Sequence, residues 1–393
     1  MKRLRIAIVC DYPEEGWPSM DLVAEMVLTH LQTGHEAEVE AVRVCPPYRT
    51  RAGLSPIRRT ARAARNLDRL LNRYVDYPRY LRRLAARESF DVYHVIDHSY
   101  AQLVHAVPPG RAIVTCHDLD TFRCLLHPDV DPRPSWFRAL TRRTLTGLQS
   151  AAAIACDSEA TRSVILEHRL TPPERLTTVY LGVSSDFIAD RVPEADAALD
   201  RLIGRSDSPR SVDLLHVGSN IRRKRIDVLL RTFAAVRRQI PEARLIKVGG
   251  DFDPTQAALA RDLDLAGSIL ILPFLNDRRV LAALYRRAAL VLLPSEAEGF
   301  GFPMVEATSC GAQVLASDLP VLREVGGDAA VYRPMGDVES WGLAAVEMIG
   351  EYLSESDVWQ GRRSAGLARS GLFRWKTHAA RLVDHYKMIA GGR

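Results

Sequence analysis

Residues 290–310 read LVLLPSEAEGFGFPMVEATSC and hold the densest chemistry in the chain. An apolar run ends at Pro294, a glycine-containing stretch follows, and a helical pattern begins near Pro303, a residue suited to a first helical turn. Gly299 and Gly301 permit positive φ and close approach of the backbone to a ligand. Backbone N–H groups beside a helix N-terminus can hold phosphate oxygens. Glu298 stands before the glycines and Glu306 eight positions later, inside the helix. A carboxylate is a strong acceptor for sugar hydroxyls, the paired hydroxyls of a ribose included. A plain βα connection with two solvated glutamates has the same pattern, so spacing alone leaves both readings open. Glycosidases also set two carboxylates about a sugar, but a pair eight positions apart beside a phosphate-type loop fits the binding of a phosphate-bearing sugar better.

Two further clusters bring charge into turns that follow apolar runs. Val217 to Phe233, VGSNIRRKRIDVLLRTF, gives a strand end, a turn at Gly218, and then Arg222, Arg223, Lys224 and Arg225 at the opening of a helix. Cations there oppose the helix dipole, which points to an anionic ligand; a solvated basic turn is the alternative. In the first half, Ile113-Val-Thr-Cys-His117-Asp118-Leu119 puts a histidine directly after an apolar strand. A neutral imidazole at that position can hydrogen-bond a hydroxyl or a phosphate; a capping or packing histidine is the alternative.

The string EGFGFPMVE, Glu298 to Glu306, closely resembles the Glu-x7-Glu motif of the family 4 retaining glycosyltransferases, two-domain enzymes of the B-type (GT-B) fold. The resemblance implies that Glu306 binds the nucleotide ribose and that Glu298 contacts donor-sugar hydroxyls. It also implies that Gly299, Phe300, Gly301 and Phe302 line the donor. The segment from Val217 resembles the family's glycine strand with an Arg-Lys pair that clamps the donor diphosphate; Arg223 and Lys224 match, with Gly218 and Ser219 at the turn. Many members carry an arginine directly after that glycine, where this chain has Ser219, so the arginine duty passes to Arg223.

His117-Asp118 resembles the family's His-Asp motif at the edge of the reaction centre, which implies His117 as a donor-sugar contact near the anomeric carbon. Cys156-Asp-Ser158-Glu159-Ala-Thr161-Arg162 and Tyr180-Leu-Gly182-Val183 resemble further family segments. The start departs from the usual glycine pair and reads Glu15-Gly16-Trp17-Pro18-Ser19, leaving Gly16 to open the loop. Base selection falls on Pro273 to Asn276, with Pro273 and Phe274. Retaining transfer from a UDP- or GDP-sugar is implied, with His117, Glu298, Lys224 and Arg223 as the catalytic set. No bound metal and no tightly bound cofactor are expected. A phosphorylase on the same fold needs a pyridoxal-phosphate lysine site that the sequence does not display. A non-catalytic glycan- or nucleotide-binding protein is the alternative outside enzymes.

Short apolar runs alternate with helical patterns, the signature of βαβ units. Expected strands are 4–10, 38–44, 92–96, 112–116, 152–156 and 177–180, then 213–217, 244–248, 269–272, 289–293, 313–316 and 330–332. Residues 190–209 are poor in bulky apolar side chains and read as a linker. The expected fold class is therefore α/β, with two Rossmann-like domains facing a central cleft. They cover 1–190 and 210–370; the resemblance implies that the first takes the acceptor and the second the nucleotide-sugar, and that a C-terminal helix in 371–393 returns to the N-terminal domain. Open parallel sheets bind ligands at the carboxyl ends of their strands.

At 393 residues with 47% hydrophobic and 26% charged content, the chain is long enough for two cores and excludes wholesale disorder. Net charge is +5, yet residues 41–90 hold thirteen arginines against Asp68, Asp76 and Glu88. Within 56–87, Ile57, Ala61, Ala64, Leu67, Leu71 and Tyr74 form an apolar series at helical spacing, which Tyr77-Pro78 should interrupt. This basic segment reads as a site for an anionic glycan or lipid-diphosphate acceptor, as peripheral contact with an anionic membrane, or as a solvated face. It lacks the aromatic interleaving of a nucleic-acid platform. The six cysteines form no CxxC pair and read as reduced. No run approaches the roughly 18 apolar residues of a membrane span, so the expected location is cytoplasmic, with the inner membrane face as a possible contact.

Overall fold

The structure is a computed structural model that describes residues 3–51, 58–204 and 212–392, with the side chains of 58–62 outside that description. Expectations resting on Ile57 and on the side chains of Ala61, Arg58, Arg59 and Arg62 fall outside it, as do 205–209 of the expected linker. The chain divides into two compact units: Met1–Gly182 with Trp375–Arg393, and Val183–Arg374.

In the first unit the strands are β1 (Leu4–Val9), β2 (Val39–Val44), β3 (Val92–Val95), β4 (Ala112–Cys116), β5 (Ala153–Cys156) and β6 (Leu176–Thr178). They form one parallel sheet in the order β2-β1-β3-β4-β5-β6. Every residue of β3 and β4 is buried, as expected for strands covered on both faces by crossover helices. Tyr12, Tyr77, Tyr93, Tyr100 and Phe122 fill the core. The Tyr77 hydroxyl is held by Cys10 O at 2.8 Å and Val44 O at 2.7 Å, which ties the carboxyl ends of β1 and β2 together. The helix Trp375–Gly391 completes this unit. Its Tyr386 hydroxyl lies 2.6 Å from His94 Nδ1 on β3, and Lys387 pairs with Glu38.

The second unit repeats the plan with β7 (Asp213–Val217), β8 (Arg244–Val248), β9 (Ile269–Leu272), β10 (Leu290–Leu293), β11 (Val314–Ser317) and β12 (Ala330–Arg333). The parallel order is β12-β11-β10-β7-β8-β9, around a core that includes Phe233, Trp341, Leu230 and Met348. In each sheet the order reverses once, between β1 and β3 and between β7 and β10. Connections leave such a point in opposite directions and open a crevice at the carboxyl ends of the strands.

Three local expectations need correction. Residues 193–203, expected as linker, form the helix Pro193–Ile203, with Ala195, Leu199 and Ile203 buried. Arg286 and Arg287 of the helix Arg278–Arg287 pair with its Asp196 and Asp200. Tyr77-Pro78 does not break the chain's helical course. The helix Arg58–Leu71 passes through a π-helical stretch, Asn72–Asp76, into the helix Tyr77–Arg87. A widened turn accommodates the proline ring and its missing N–H. Of the described members of the apolar series, Leu67 is 51% exposed and Ala64, Leu71 and Tyr74 are only half-buried, while Asp68 and Asn72 are buried. Asn72 Oδ1 accepts from Arg49 N at 2.9 Å and Asp68 Oδ1 from Arg51 N at 3.1 Å, so these two side chains hold the preceding loop backbone.

Candidate active site

The reversal point of the second sheet lies between β7 and β10, and the two motifs expected to grip a donor follow those strands. After β10, Ser295 to Gly301 lead into the helix Phe302–Ser309, with Pro303 in its first turn. Gly301 has φ +91, and a Cβ there would lie 2.8 Å from Leu322 Cδ2, so glycine alone fits this entry. After β7, Gly218 and Ser219 lead into the turn Arg222–Lys224 and the helix Ile226–Arg237.

The two loops meet through Glu298. Lys224 Nζ donates to its Oε1 at 2.6 Å, Ser295 Oγ donates to the same oxygen at 2.7 Å, and Arg223 Nη1 lies 3.6 Å from Oε2. The backbones join as well: Glu296 N donates to Arg223 O at 2.7 Å, and Arg223 Nη1 donates to Ala297 O at 2.9 Å. Burial alone would raise the Glu298 carboxyl, but the charges of Lys224 and Arg223 hold it below its ordinary value.

Glu306 is set differently. Its Oε2 accepts from the buried Tyr285 hydroxyl at 2.9 Å. Burial pushes its carboxyl up to about 7, against the pull of Tyr285 and of Arg278. Two glutamates of one motif thus carry opposite shifts. Tyr285 lies on the helix Arg278–Arg287, twenty-one positions before its partner, and no linear motif marks it.

Phe300 is buried, with its ring centroid 5.6 Å from Phe302 and 5.5 Å from Phe373, so it builds the loop's underside. Phe302 and Gly299 are partly exposed, as are Gly218 and Ser219. Pro273 and Phe274 follow β9 and are exposed.

In the first unit, His117 follows β4 and Asp157 follows β5, one residue beyond the register partners Cys116 and Cys156. His117 Nδ1 lies 2.5 Å from Asp157 Oδ2, and Nε2 lies 2.8 Å from the Ile96 carbonyl. Both partners are acceptors, so both ring nitrogens carry hydrogen. Burial opposes the charge, but Asp157 overrides it and raises the imidazole to about 9. The expected neutral imidazole is therefore an imidazolium, with both nitrogens engaged inside the protein. His98, beside it, has Asp97 Oδ1 at 3.3 Å and Asp118 Oδ1 at 3.4 Å.

Asp11 follows β1 and Asp97 follows β3, flanking the reversal point of this sheet. Neither Asp11 oxygen accepts a hydrogen bond from the described residues. Burial first, then the Asp97 charge, pushes the Asp11 carboxyl well above the usual range. Asp97 stays low despite its burial, through His98 and His117. Gly16 closes the turn Pro13–Glu15 with φ 72. Glu15 pairs with Arg69 at 2.8 Å and Arg73 at 3.4 Å, so part of the basic segment is neutralised within the unit. Among the described residues no group of three or more His, Cys, Asp or Glu is arranged to hold a metal ion, and no helix is long and apolar enough to cross a membrane.

Comparison with known proteins agrees with this architecture. Residues 23–187 match the family described as Glycosyltransferase Family 4, and residues 211–351 match Glycosyl transferases group 1. Sucrose-phosphate synthase from Thermosynechococcus elongatus superposes with a TM-score of 0.74 at 18% identity, covering 100% of both chains. Anabaena HepE, solved with UDP and glucose, gives 0.71 at 15% identity over 98% of this chain and 100% of that one. The fold is GT-B. The chain is 29% identical over 286 residues to O-antigen chain mannosyltransferase B of Escherichia coli, 71% of each protein. It is 26% identical over 289 residues to the serotype-specific mannosyltransferase WbdA of Escherichia coli, 72% of this chain but only 34% of that longer protein. The protein is a GT-B-fold glycosyltransferase related to the family 4 sugar transferases.

Proposed function

We propose that the protein transfers a sugar, with retention of anomeric configuration, from a nucleoside-diphosphate sugar to a hydroxyl of a glycan or lipid-linked acceptor. The observation that carries this reading is the Lys224–Glu298 contact of 2.6 Å at the reversal point of the second sheet. It joins a cationic turn to a glycine loop that opens a helix. In this reading Lys224 and Arg223 stabilise the departing diphosphate, the largest electrostatic demand of the reaction. Glu298 accepts from hydroxyls of the transferred sugar, and Glu306, with one oxygen already fixed by Tyr285, accepts from the ribose. His117 contributes a buried positive charge at the end of β4 rather than a hydrogen bond from a free nitrogen.

The likeness to O-antigen chain mannosyltransferase B favours a mannosyl donor, and the UDP and glucose held by Anabaena HepE support a nucleotide subsite in this fold. An anionic acceptor is favoured by the exposed Arg79, Arg82, Arg83 and Arg87 of the helix Tyr77–Arg87. The test is nucleotide release from UDP-, GDP- and ADP-sugars, with and without oligosaccharide acceptors. Absence of binding by every nucleotide sugar to a folded sample would remove the proposal.

A further inference from the structure

Lys247 lies inside β8 with its side chain wholly buried. Asp213, equally buried at the start of β7, is met by the guanidinium groups of Arg244 and Arg287. Lys247 forms no ion pair among the described residues. Its hydrogen-bond acceptor there is a neutral carbonyl, Gly250 O, at 2.5 Å. Burial pulls the ammonium down to about 8, with Asp251 acting weakly against it. An unpaired buried charge is costly, and a methionine would fill the same space at less cost.

The carbonyl it caps belongs to an unusual turn. Gly249 and Gly250 have φ +113 and +92, and both amides donate to Leu272 O, at 3.0 and 3.2 Å. The turn is pressed onto its neighbours. A Cβ at Gly249 would lie 2.4 Å from Gly218 O and 3.3 Å from Phe274 Cε1. Gly218 N in turn donates to Val248 O at 2.9 Å. The Gly249–Gly250 turn is thus the seat for two donor-site elements, the Gly218 turn that leads to Lys224 and the exposed Phe274 ring.

His216 is the register partner of Lys247 on β7. Its Nδ1–H donates to Leu292 O at 2.9 Å, while Nε2 is buried without a partner among the described residues. Burial first, then the nearby Lys224 and Lys247, lower this imidazole to about 4. A neutral ring therefore stands near both lysines, where an imidazolium would repel each.

We propose that Lys247 is a positioning residue of the donor site, its buried ammonium holding the Gly249–Gly250 turn in the form on which Gly218 and Phe274 are seated. The proposal rests on the donor-site reading above. Lys247 itself does not touch the substrate; it acts through the Gly250 carbonyl.

The test compares wild type, Lys247→Met and Lys247→Gln by thermal unfolding, by UDP and GDP calorimetry, and by steady-state kinetics with whichever nucleotide sugar the wild type uses. Lys247→Met should melt at or above the wild-type temperature, while its donor KM and nucleotide Kd rise about tenfold and kcat changes less than about twofold. Lys247→Gln, whose amide can still donate to Gly250 O, should recover part of the loss. Unchanged donor KM in folded Lys247→Met overturns the proposal, and so does a Lys247→Met protein that melts well below wild type, since Lys247 would then serve the core. Failure of the wild type itself to bind any nucleotide would instead refute the donor-site reading.

Discussion

The Tyr285 hydroxyl reaches Glu306 Oε2 across 2.9 Å, both groups being buried, and so fixes one oxygen of a carboxylate whose ordinary value of 4.5 has risen to about 7. A raised carboxyl favours folding most below its unfolded value, and that contribution is lost as pH climbs through the folded value. Stability from this group therefore falls between pH 4.5 and about 7. Nucleotide affinity should rise over the same window, because the carboxylate is the stronger acceptor. Removing the hydroxyl in Tyr285→Phe withdraws a bond that favours the charged form, so the midpoint should move to higher pH. Affinity at neutral pH should fall by about three- to tenfold. Calorimetric titration with UDP or GDP across this range checks it, and an unmoved midpoint would detach Tyr285 from the site.

Removal of Lys224 should have two separable effects. Lys224→Ala leaves Glu298 buried without its closest cation, at a cost of about 3–5 kcal/mol in urea unfolding. Sugar transfer should drop by about a hundred- to a thousandfold. The double variant Lys224→Ala/Glu298→Ala should regain much of the stability and none of the transfer. A cycle in which activity returns with stability would assign the pair to the scaffold.

The imidazolium of His117 makes its own pH signature. Its value rises from 6.5 to about 9, so the stability it supplies is full below 6.5 and drains as pH passes about 9. In Asp157→Asn the cause of the rise is gone, and the slope of melting temperature over that interval should flatten. Thermal scans of both proteins in matched buffers decide the matter.

Arg225 holds φ 48, a left-handed conformation, at the entry to the helix Ile226–Arg237, with its guanidinium on Asp227 at 2.8 and 2.9 Å. The exposed pair contributes little, whereas left-handed backbone costs a non-glycine residue about 1–2 kcal/mol. Arg225→Gly should therefore raise the free energy of unfolding measured in urea, by up to about 1 kcal/mol net. Transfer should persist, since Arg223 and Lys224 remain.

All twelve strands lie within a residue or two of where apolar runs predict them, because a parallel strand buried on both faces leaves a short continuous signature. The helix Pro193–Ile203 escaped for the opposite reason: its apolar stripe is carried by Ala195, Leu199 and Ile203 amid acidic neighbours. Glu298, Lys224 and Arg223 come together as their motifs imply, since each follows a strand beside the reversal point. Asp157 was within reach, standing one residue past the register partner of Cys116 just as His117 does. Tyr285 was not, for an aromatic on an amphipathic helix looks like any core residue. Lys247 left one trace, a cation inside the apolar run LIKV.

The helix Trp375–Gly391 is translated after every residue of the second unit, although it belongs to the first. A nascent chain therefore carries a second unit complete in sequence while His94 still awaits the Tyr386 hydroxyl. The first unit is thus finished after the second, its sheet left without this helix until then.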